Sequence, residues 1–341
     1  MHKEITIYDI AKKLGISATT VSRALNNNPI INVKTREKIN LTAKELGYRH
    51  NTIASNLRKQ QSKTIGILLH EVNSSFVTSV LAGIEKITTQ EGYDLLITHS
   101  NETEIREVAN TKNLLSKRVD GLIVSLSLTT KGIEHFLPFT KRNIPVVFFD
   151  RVPDDPKFTK VIIDNFQAGY QATIHLIEQG CSKIAHITAD LYRNVYRDRF
   201  EGYKTALKNY HIKYNKKLLY VCDLDKDATI KAVNELLIQK PDAFFITNDF
   251  AAAVCIEQLT QKGFKVPEDI AVFGFNNDVI GDLIRPKLST IDYPGIIMGE
   301  MAAKELIRQL KNKNKNIKLP SNTFVIPMSL IIRESSLKSK A

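Results

Sequence analysis

The chain has 341 residues, 43% hydrophobic and 25% charged, with a formal net charge of +12. That length allows two or three domains with substantial cores, and no run of 18 uncharged apolar residues exists to cross a membrane. Three widely spaced cysteines, Cys181, Cys222 and Cys255, argue against a disulfide framework. The start of the chain leads straight into a helix signal without the apolar stretch of a signal peptide, so a cytoplasmic location is expected. Scattered histidines with no metal-ligand spacing predict no metal site and no cofactor.

Residues Thr6 to Tyr48 read as three short helices. Thr6-Ile-Tyr-Asp9 has the spacing of a capping box, with Asp where Glu or Gln is usual. Ile7, Ile10, Ala11 and Leu14 then recur at helical spacing. Gly15 ends that helix in a tight turn, and Ser17 caps the next. Along Ser17 to Leu25, Val21, Ala24 and Leu25 point one way, while Ala18, Thr19, Ser22 and Arg23 point the other. Two helices joined by such a turn form a helix-turn-helix, whose second helix fits a major groove. A third helix, about Val33 to Leu46, ends at Gly47. Residues 1–62 hold 11 Lys+Arg against 4 Asp+Glu, an excess suited to neutralising phosphates. An ordinary three-helix bundle with a solvated face is the competing reading.

Residues 49–62 form a linker with one short helical stretch, Asn51 to Arg58. From Thr64 onward, apolar strands alternate with helices: Thr64–Leu69, Asp94–Thr98, Gly121–Ser125, Pro145–Asp150, Lys183–Thr188, Leu218–Val221, Ala243–Thr247 and Ile270–Phe275. Such alternation implies doubly wound parallel sheets, and the strand number suits two lobes. Open α/β lobes bind ligands at the carboxyl ends of their strands. The polar and aromatic residues there are Asn73, Phe76, Asp150, Arg151, Arg199, Asn248, Asp249 and Asn276, a set suited to a polyhydroxylated ligand. Asp249 also reads as a cap on the following helix.

Tyr8-Asp-Ile-Ala, Thr20-Val-Ser-Arg-Ala-Leu25, Lys34-Thr-Arg-Glu-Lys-Ile39, Leu46-Gly-Tyr48 and Asn51-Thr-Ile-Ala-Ser-Asn-Leu57 together closely resemble the lactose/galactose repressor family of bacterial transcription regulators, and the match runs on to the C-terminus. The resemblance implies an N-terminal all-α reader over 1–48, a hinge over 49–62, and a two-lobed core over 63–341 like the periplasmic sugar-binding proteins. Its N-lobe is expected at 63–162 and 293–323 and its C-lobe at 163–290 and 325–341. The chain would cross between them near Ile162–Asp164, Ser289–Tyr293 and Asn322–Val325. It also implies DNA contacts from Thr6, Tyr8, Ser17, Ala18, Thr19, Ser22, Arg23, Asn26, Thr35 and Arg36; a partly buried packing ring is the alternative reading of Tyr8. In the hinge, Leu57 would wedge a central base step of the minor groove, with Asn51 beside it and Ala54 at the helix–helix approach; a plain linker hydrophobe is the other reading of Leu57. Asp150, Arg199 and Asn248 match positions that bind sugar hydroxyls or a nucleobase. One departure is Gly274-Phe-Asn-Asn-Asp278, where many relatives carry Gly-Phe-Asp-Asp, so Asn276 offers an amide instead of a carboxylate.

The expected function is a sequence-specific transcriptional regulator, a repressor, whose affinity for operator DNA is controlled by a small molecule, a sugar or sugar derivative, bound between the lobes. The segment after Ile332 is too short and polar for a heptad zipper, so a homodimer on a pseudo-palindromic operator is expected. The alternative is the solute-binding protein of a sugar importer, which shares the core fold. An enzyme is not expected: no dinucleotide fingerprint, Walker loop or nucleophile elbow is present.

Overall fold

The computed structural model describes residues 5–48, 61–313 and 320–338. The chain divides into two compact units, 1–62 and 63–341. In the first, α1 spans Ile7–Leu14, α2 Ala18–Leu25 and α3 Val33–Glu45. Their apolar stripes meet in a small core of Ile10, Ala11, Val21, Ala24, Ile39 and Ala43. The ends are set locally. Asp9 accepts from the backbone N–H of Thr6 at 2.8 Å, and Gly15 adopts φ +67° where α1 stops. Ser17 Oγ accepts from the N–H of Thr20, and Asn32 Oδ1 from that of Lys34.

The second unit contains two doubly wound lobes. A six-stranded sheet is ordered β11-β5-β4-β3-β1-β2, from β1 (Thr64–Leu69), β2 (Asp94–His99), β3 (Gly121–Val124), β4 (Val146–Phe149), β5 (Thr159–Ile163) and β11 (Thr323–Ile326), with every pairing parallel. A four-stranded parallel sheet is ordered β7-β6-β8-β9, from β6 (Ile184–Thr188), β7 (Leu219–Val221), β8 (Ala243–Ile246) and β9 (Ala271–Phe273). Strands buried on both faces explain the near-continuous apolar runs of β1, β3, β4 and β8. Between the sheets, β10 (Thr290–Asp292) and β12 (Ser329–Ile331) form an antiparallel ribbon.

The first two crossings fall where expected, after β5 and around β10. The third comes later. Residues Thr323–Ile326 pair with Lys160–Ile163 in the six-stranded sheet, so the chain leaves that lobe only after Ile326. Phe324 packs against the main core and ties this strand to the N-lobe.

Each lobe is held by one close helix pair. In the N-lobe, α4 (Ser75–Gln90) crosses the long C-terminal helix Gly295–Lys313, and a Cβ on Gly83 or Gly299 would meet the backbone of Ile296 or Val80. In the C-lobe, the helix Asn165–Glu178 crosses Asn194–Asn209, and Gly169 and Gly202 lie against Arg199 and Phe166 backbone. Gly169→Ala is therefore expected to lower the melting temperature and cost about 1–3 kcal/mol by overpacking, although an unhindered helical Gly→Ala change gains up to about 1 kcal/mol. Chemical denaturation of the two chains measures the difference.

Candidate functional site

On the first unit, Thr19, Arg23 and Tyr8 are exposed, Tyr8 at 71%, so its ring is not a core element. Thr6 is exposed and donates its hydroxyl to Asp9 at 2.7 Å. Ser22 and Thr35 are half-buried, and Asn26 donates its amide to the carbonyl of Ser22 at 2.7 Å, closing α2. Two of the expected DNA contacts are engaged with the protein itself. Ala18 is half-buried against the helical core, because positions 18, 21 and 25 share one helical stripe. Arg36 is half-buried, donates to the carbonyl of Ile31 at 3.3 Å, and keeps an unpartnered Nε. Asn51, Ala54 and Leu57 lie outside the described residues.

In the second unit the lobes meet around Asp150, which follows β4 in the left-handed region at φ +57°. Its Oδ1 accepts from Tyr293 Oη at 2.6 Å and its Oδ2 from Ser125 Oγ at 3.4 Å, while its carbonyl accepts from Asn194 Nδ2 at 3.0 Å. Asn194 Oδ1 accepts in turn from the N–H of Val152 at 3.0 Å. Burial pushes the Asp150 carboxyl up, and Arg151, Tyr293 and Arg199 pull against that rise. Arg151 clamps Glu102 through both carboxylate oxygens, at 2.7 and 2.8 Å, and donates to Tyr196 Oη at 3.0 Å. Burial opposes the Arg151 charge, but Tyr196, Glu102 and Asp150 outweigh it and raise its pKa.

Arg199, 2% exposed, lies 3.5 Å over the Phe275 ring, donates to Asn165 Oδ1 at 2.8 Å, and reaches the carbonyl of Thr247 at 3.3 Å. Tyr293 stacks on Phe76 at 4.2 Å between ring centroids. Phe76, Asp150, Arg151 and Arg199 thus join one buried cluster built from both lobes. Further contacts clasp the lobes: Arg197 with Asp154 at 3.2 Å, Tyr192 Oη with the carbonyl of Lys131 at 2.9 Å, and Arg193 with the carbonyl of Thr130.

The remaining expected residues sit differently. Asn73 is exposed on the loop after β1. Asn248 caps the helix Asp249–Gln261, accepting from the N–H of Ala251 at 3.0 Å. Asp249 is neither that cap nor open to a ligand. It is 0% exposed and accepts from Thr290 Oγ1 at 2.7 Å and the N–H of Asp278 at 2.8 Å, which fixes the loop after β9 to β10. Asn276 is half-buried at φ +124°, held by its N–H to the carbonyl of Ile291 at 3.1 Å. Sequence reading missed Glu102, Asn194, Tyr196, Phe275 and Tyr293. The dense Asp/Arg/Tyr run over 190–199 was the available signal for two of them.

Residues 6–51 match the family model described as bacterial regulatory proteins, lacI family, and residues 62–334 match that described as periplasmic binding proteins and sugar binding domain of LacI family. The chain belongs to the lacI family of bacterial regulatory proteins. It is 31% identical over 333 residues to the NTD biosynthesis operon regulator NtdR of Bacillus subtilis (strain 168), covering 97% of this chain and 99% of that protein. Catabolite control protein A of Priestia megaterium is 29% identical over 335 residues, with 97% and 99% covered. Among solved structures, the lac repressor dimer bound to operator and the anti-inducer ONPF shares the fold at TM-score 0.87 and 24% identity, over 98% of this chain and 100% of that one. The transcriptional regulator CelR in complex with cellobiose gives 0.72 at 25% identity, over 97% and 100%. These lacI-family relatives are regulators, not importer components, so the helix-turn-helix unit reads DNA and the core is a ligand-binding domain. No described helix is long and apolar enough to cross a membrane.

The buried Asp249 carboxyl makes stability pH-dependent. Burial pushes it up to about 7. An acid whose pKa is raised by folding holds its proton more tightly when folded, so stability falls as pH rises from about 4 to about 7. Asp249→Asn, which keeps a carbonyl acceptor, is expected to shrink the loss of melting temperature between about pH 5 and 8 relative to the parent chain. An identical pH profile in the two chains would contradict the assignment.

Proposed function

We propose that this protein is a cytoplasmic, homodimeric repressor whose operator affinity is set by a small carbohydrate-like effector held between the two core lobes, without chemical turnover. The carrying observation is the Asp150–Arg151–Arg199 cluster. It joins groups from both lobes at the carboxyl ends of their strands, beside the stacked rings of Phe76 and Tyr293. A buried carboxylate, a guanidinium over an aromatic face, and Asn276 at the rim suit a polyol with apolar ring faces. Asn248 and Asn73 border the same strand ends, and Asp249 supports the site from behind.

On the DNA side, Arg23, Thr19 and Ser22 would enter the major groove. Thr6, Tyr8, Ser17, Asn26, Thr35 and Arg36 would hold phosphates, and Ala18 would offer only an apolar edge. Leu57 would wedge the central step, flanked by Asn51 and Ala54. The effector would shift the lobes, and the hinge would carry that shift to the paired readers. A second copy of the chain would cover the C-lobe groove lined by Phe250, Val254, Ile280 and Ile284. The lac repressor dimer, similar in fold, supports that assembly.

Removing residues 1–62 is expected to abolish DNA binding while the remaining compact unit melts cooperatively; a fragment that still bound operator would reject the assignment. Arg199→Lys keeps the charge but loses the planar fork. It is expected to weaken the effector response, the ratio of operator affinities without and with effector, by about tenfold or more, as for a lost charge-assisted hydrogen bond. Titrating a labelled operator with and without effector reads both.

A further inference from the structure

One corner of the cleft contains acceptors without donors, and its interpretation rests on the effector-binding reading above. At the carboxyl ends of β1 and β2, His70, Glu71 and Glu102 each bring one polar atom within 4.8 Å of the others. His70 is 3% exposed. Its Nδ1 lies 2.9 Å from Ser125 Oγ, and that hydroxyl donates onward to Asp150. A hydroxyl has one hydrogen to give. Where that hydrogen goes to Asp150, the imidazole proton sits on Nδ1 and Nε2 is a bare acceptor. Nε2 is 3.9 Å from Glu71 Oε1, too far for a hydrogen bond, and among the described residues it has no donor. Burial, helped by nearby Arg151, holds the ring neutral.

Glu71 is half-buried, and the neutral ring 3.9 Å away gives it no charge partner. From the other lobe, Asp278 is half-buried and receives only a 3.5 Å contact from Asn276 Nδ2. Neighbouring carboxylates are better served: Glu102 takes the Arg151 fork and the N–H of Leu128, and Asp249 takes Thr290 and Asp278. Burial raises the pKa of Glu71 and of Asp278; Glu102, Asp150 and Asp278 push Glu71 further up, and Arg151 pulls it back. The Arg151 donors go to Glu102 and Tyr196, and among the described residues none is bonded to Glu71.

We propose that His70 and Glu71 recognise a protonated amine on the effector, so that the ligand is an amino sugar or a related aminated polyol. An ammonium brings three N–H donors and one positive charge to His70 Nε2 and Glu71 Oε1, which stand 3.9 Å apart. A divalent metal fits less well. Both Glu102 oxygens are engaged by Arg151, and a hard cation needs six or more oxygen ligands. The Arg199 and Asp150 cluster remains for the hydroxyls.

The test is calorimetric titration of the full chain with glucosamine, galactosamine and mannosamine, beside the parent hexoses and the N-acetylated forms. One amine is expected to bind about tenfold or more tighter than its neutral counterparts at neutral pH, as for a charge-assisted hydrogen bond, and Glu71→Gln to erase that preference. No binding by any amine, equal affinity for amine and parent, or a preference that survives Glu71→Gln overturns the proposal. Magnesium or manganese alone serves as a further arm: a melting rise that Glu71→Gln abolishes would assign the corner to a metal instead. Glu71→Gln without ligand supplies a second readout. Relief of an unmatched carboxylate predicts melting at or above the parent chain, and a fall of several degrees would mark Glu71 as structural and overturn the proposal. Operator titrations on the same samples separate the two readings. A neutral sugar that shifts operator affinity keeps the regulatory function and removes the amine.

Discussion

Asp150 is the point on which the lobed core depends. It sits at the end of β4 in a left-handed conformation that non-glycine residues rarely adopt, which marks a position where the surroundings hold the backbone in place. That turn aims its carboxylate at Tyr293 on the crossing segment and its carbonyl at Asn194 on the other lobe. A buried carboxylate costs free energy unless donors surround it. Here the donors come from Ser125 on its own lobe and from Tyr293, with Arg151 and Arg199 supplying charge. Satisfying this one group therefore brings both lobes and a crossing strand together.

Rigid lobes make such a point consequential. The glycine-mediated helix crossings bring helix backbones into direct contact within each lobe, and a few short segments join one lobe to the other. Those segments are β10, β12 and the ends of β5 and β11. Asp249 stiffens one of them by bonding Thr290 of β10 and the loop after β9 at once. Under the proposed function, a ligand that competes for, or completes, the Asp150 network would act on the angle between the two lobes, as hinge closure requires. Allosteric coupling of this kind is commonly worth about 1–3 kcal/mol.

Much of this was legible in the sequence because it is local. Caps at Thr6, Ser17 and Gly15, stripes of period 3.6, and apolar runs bounded by turns all report their own neighbourhood, and they fixed the helices of the reader and the strands of the core. Ala18 was misjudged although the rule that decides it is local too: residues three and seven positions further along its helix, Val21 and Leu25, already face the core. Strand-end reasoning led to Asp150 and Arg151 because the carboxyl end of a strand is recognisable in a chain. It could not reach Tyr196, Tyr293 or Glu102, whose roles exist only once separate segments meet. Asp249 was placed at a helix start correctly, but its partners Thr290 and Asp278 lie far along the chain, and only they reveal that it is a buried brace. The third crossing was placed early because an edge strand of four residues and a crossing segment have the same short apolar signature.

The most direct test asks whether the cleft, which lies outside the DNA-reading unit, sets DNA affinity. Tyr293→Phe removes one hydroxyl from Asp150 and leaves every residue of the reader unchanged. Titration of this variant and of the parent chain, at one salt concentration, against an operator recovered by selection from random duplexes and against an unrelated duplex gives the comparison. Specific affinity is expected to change by about 5- to 150-fold, the range of a typical allosteric coupling, while binding to the unrelated duplex stays the same. Unchanged operator affinity in a variant with altered melting would contradict control of the reader by lobe closure.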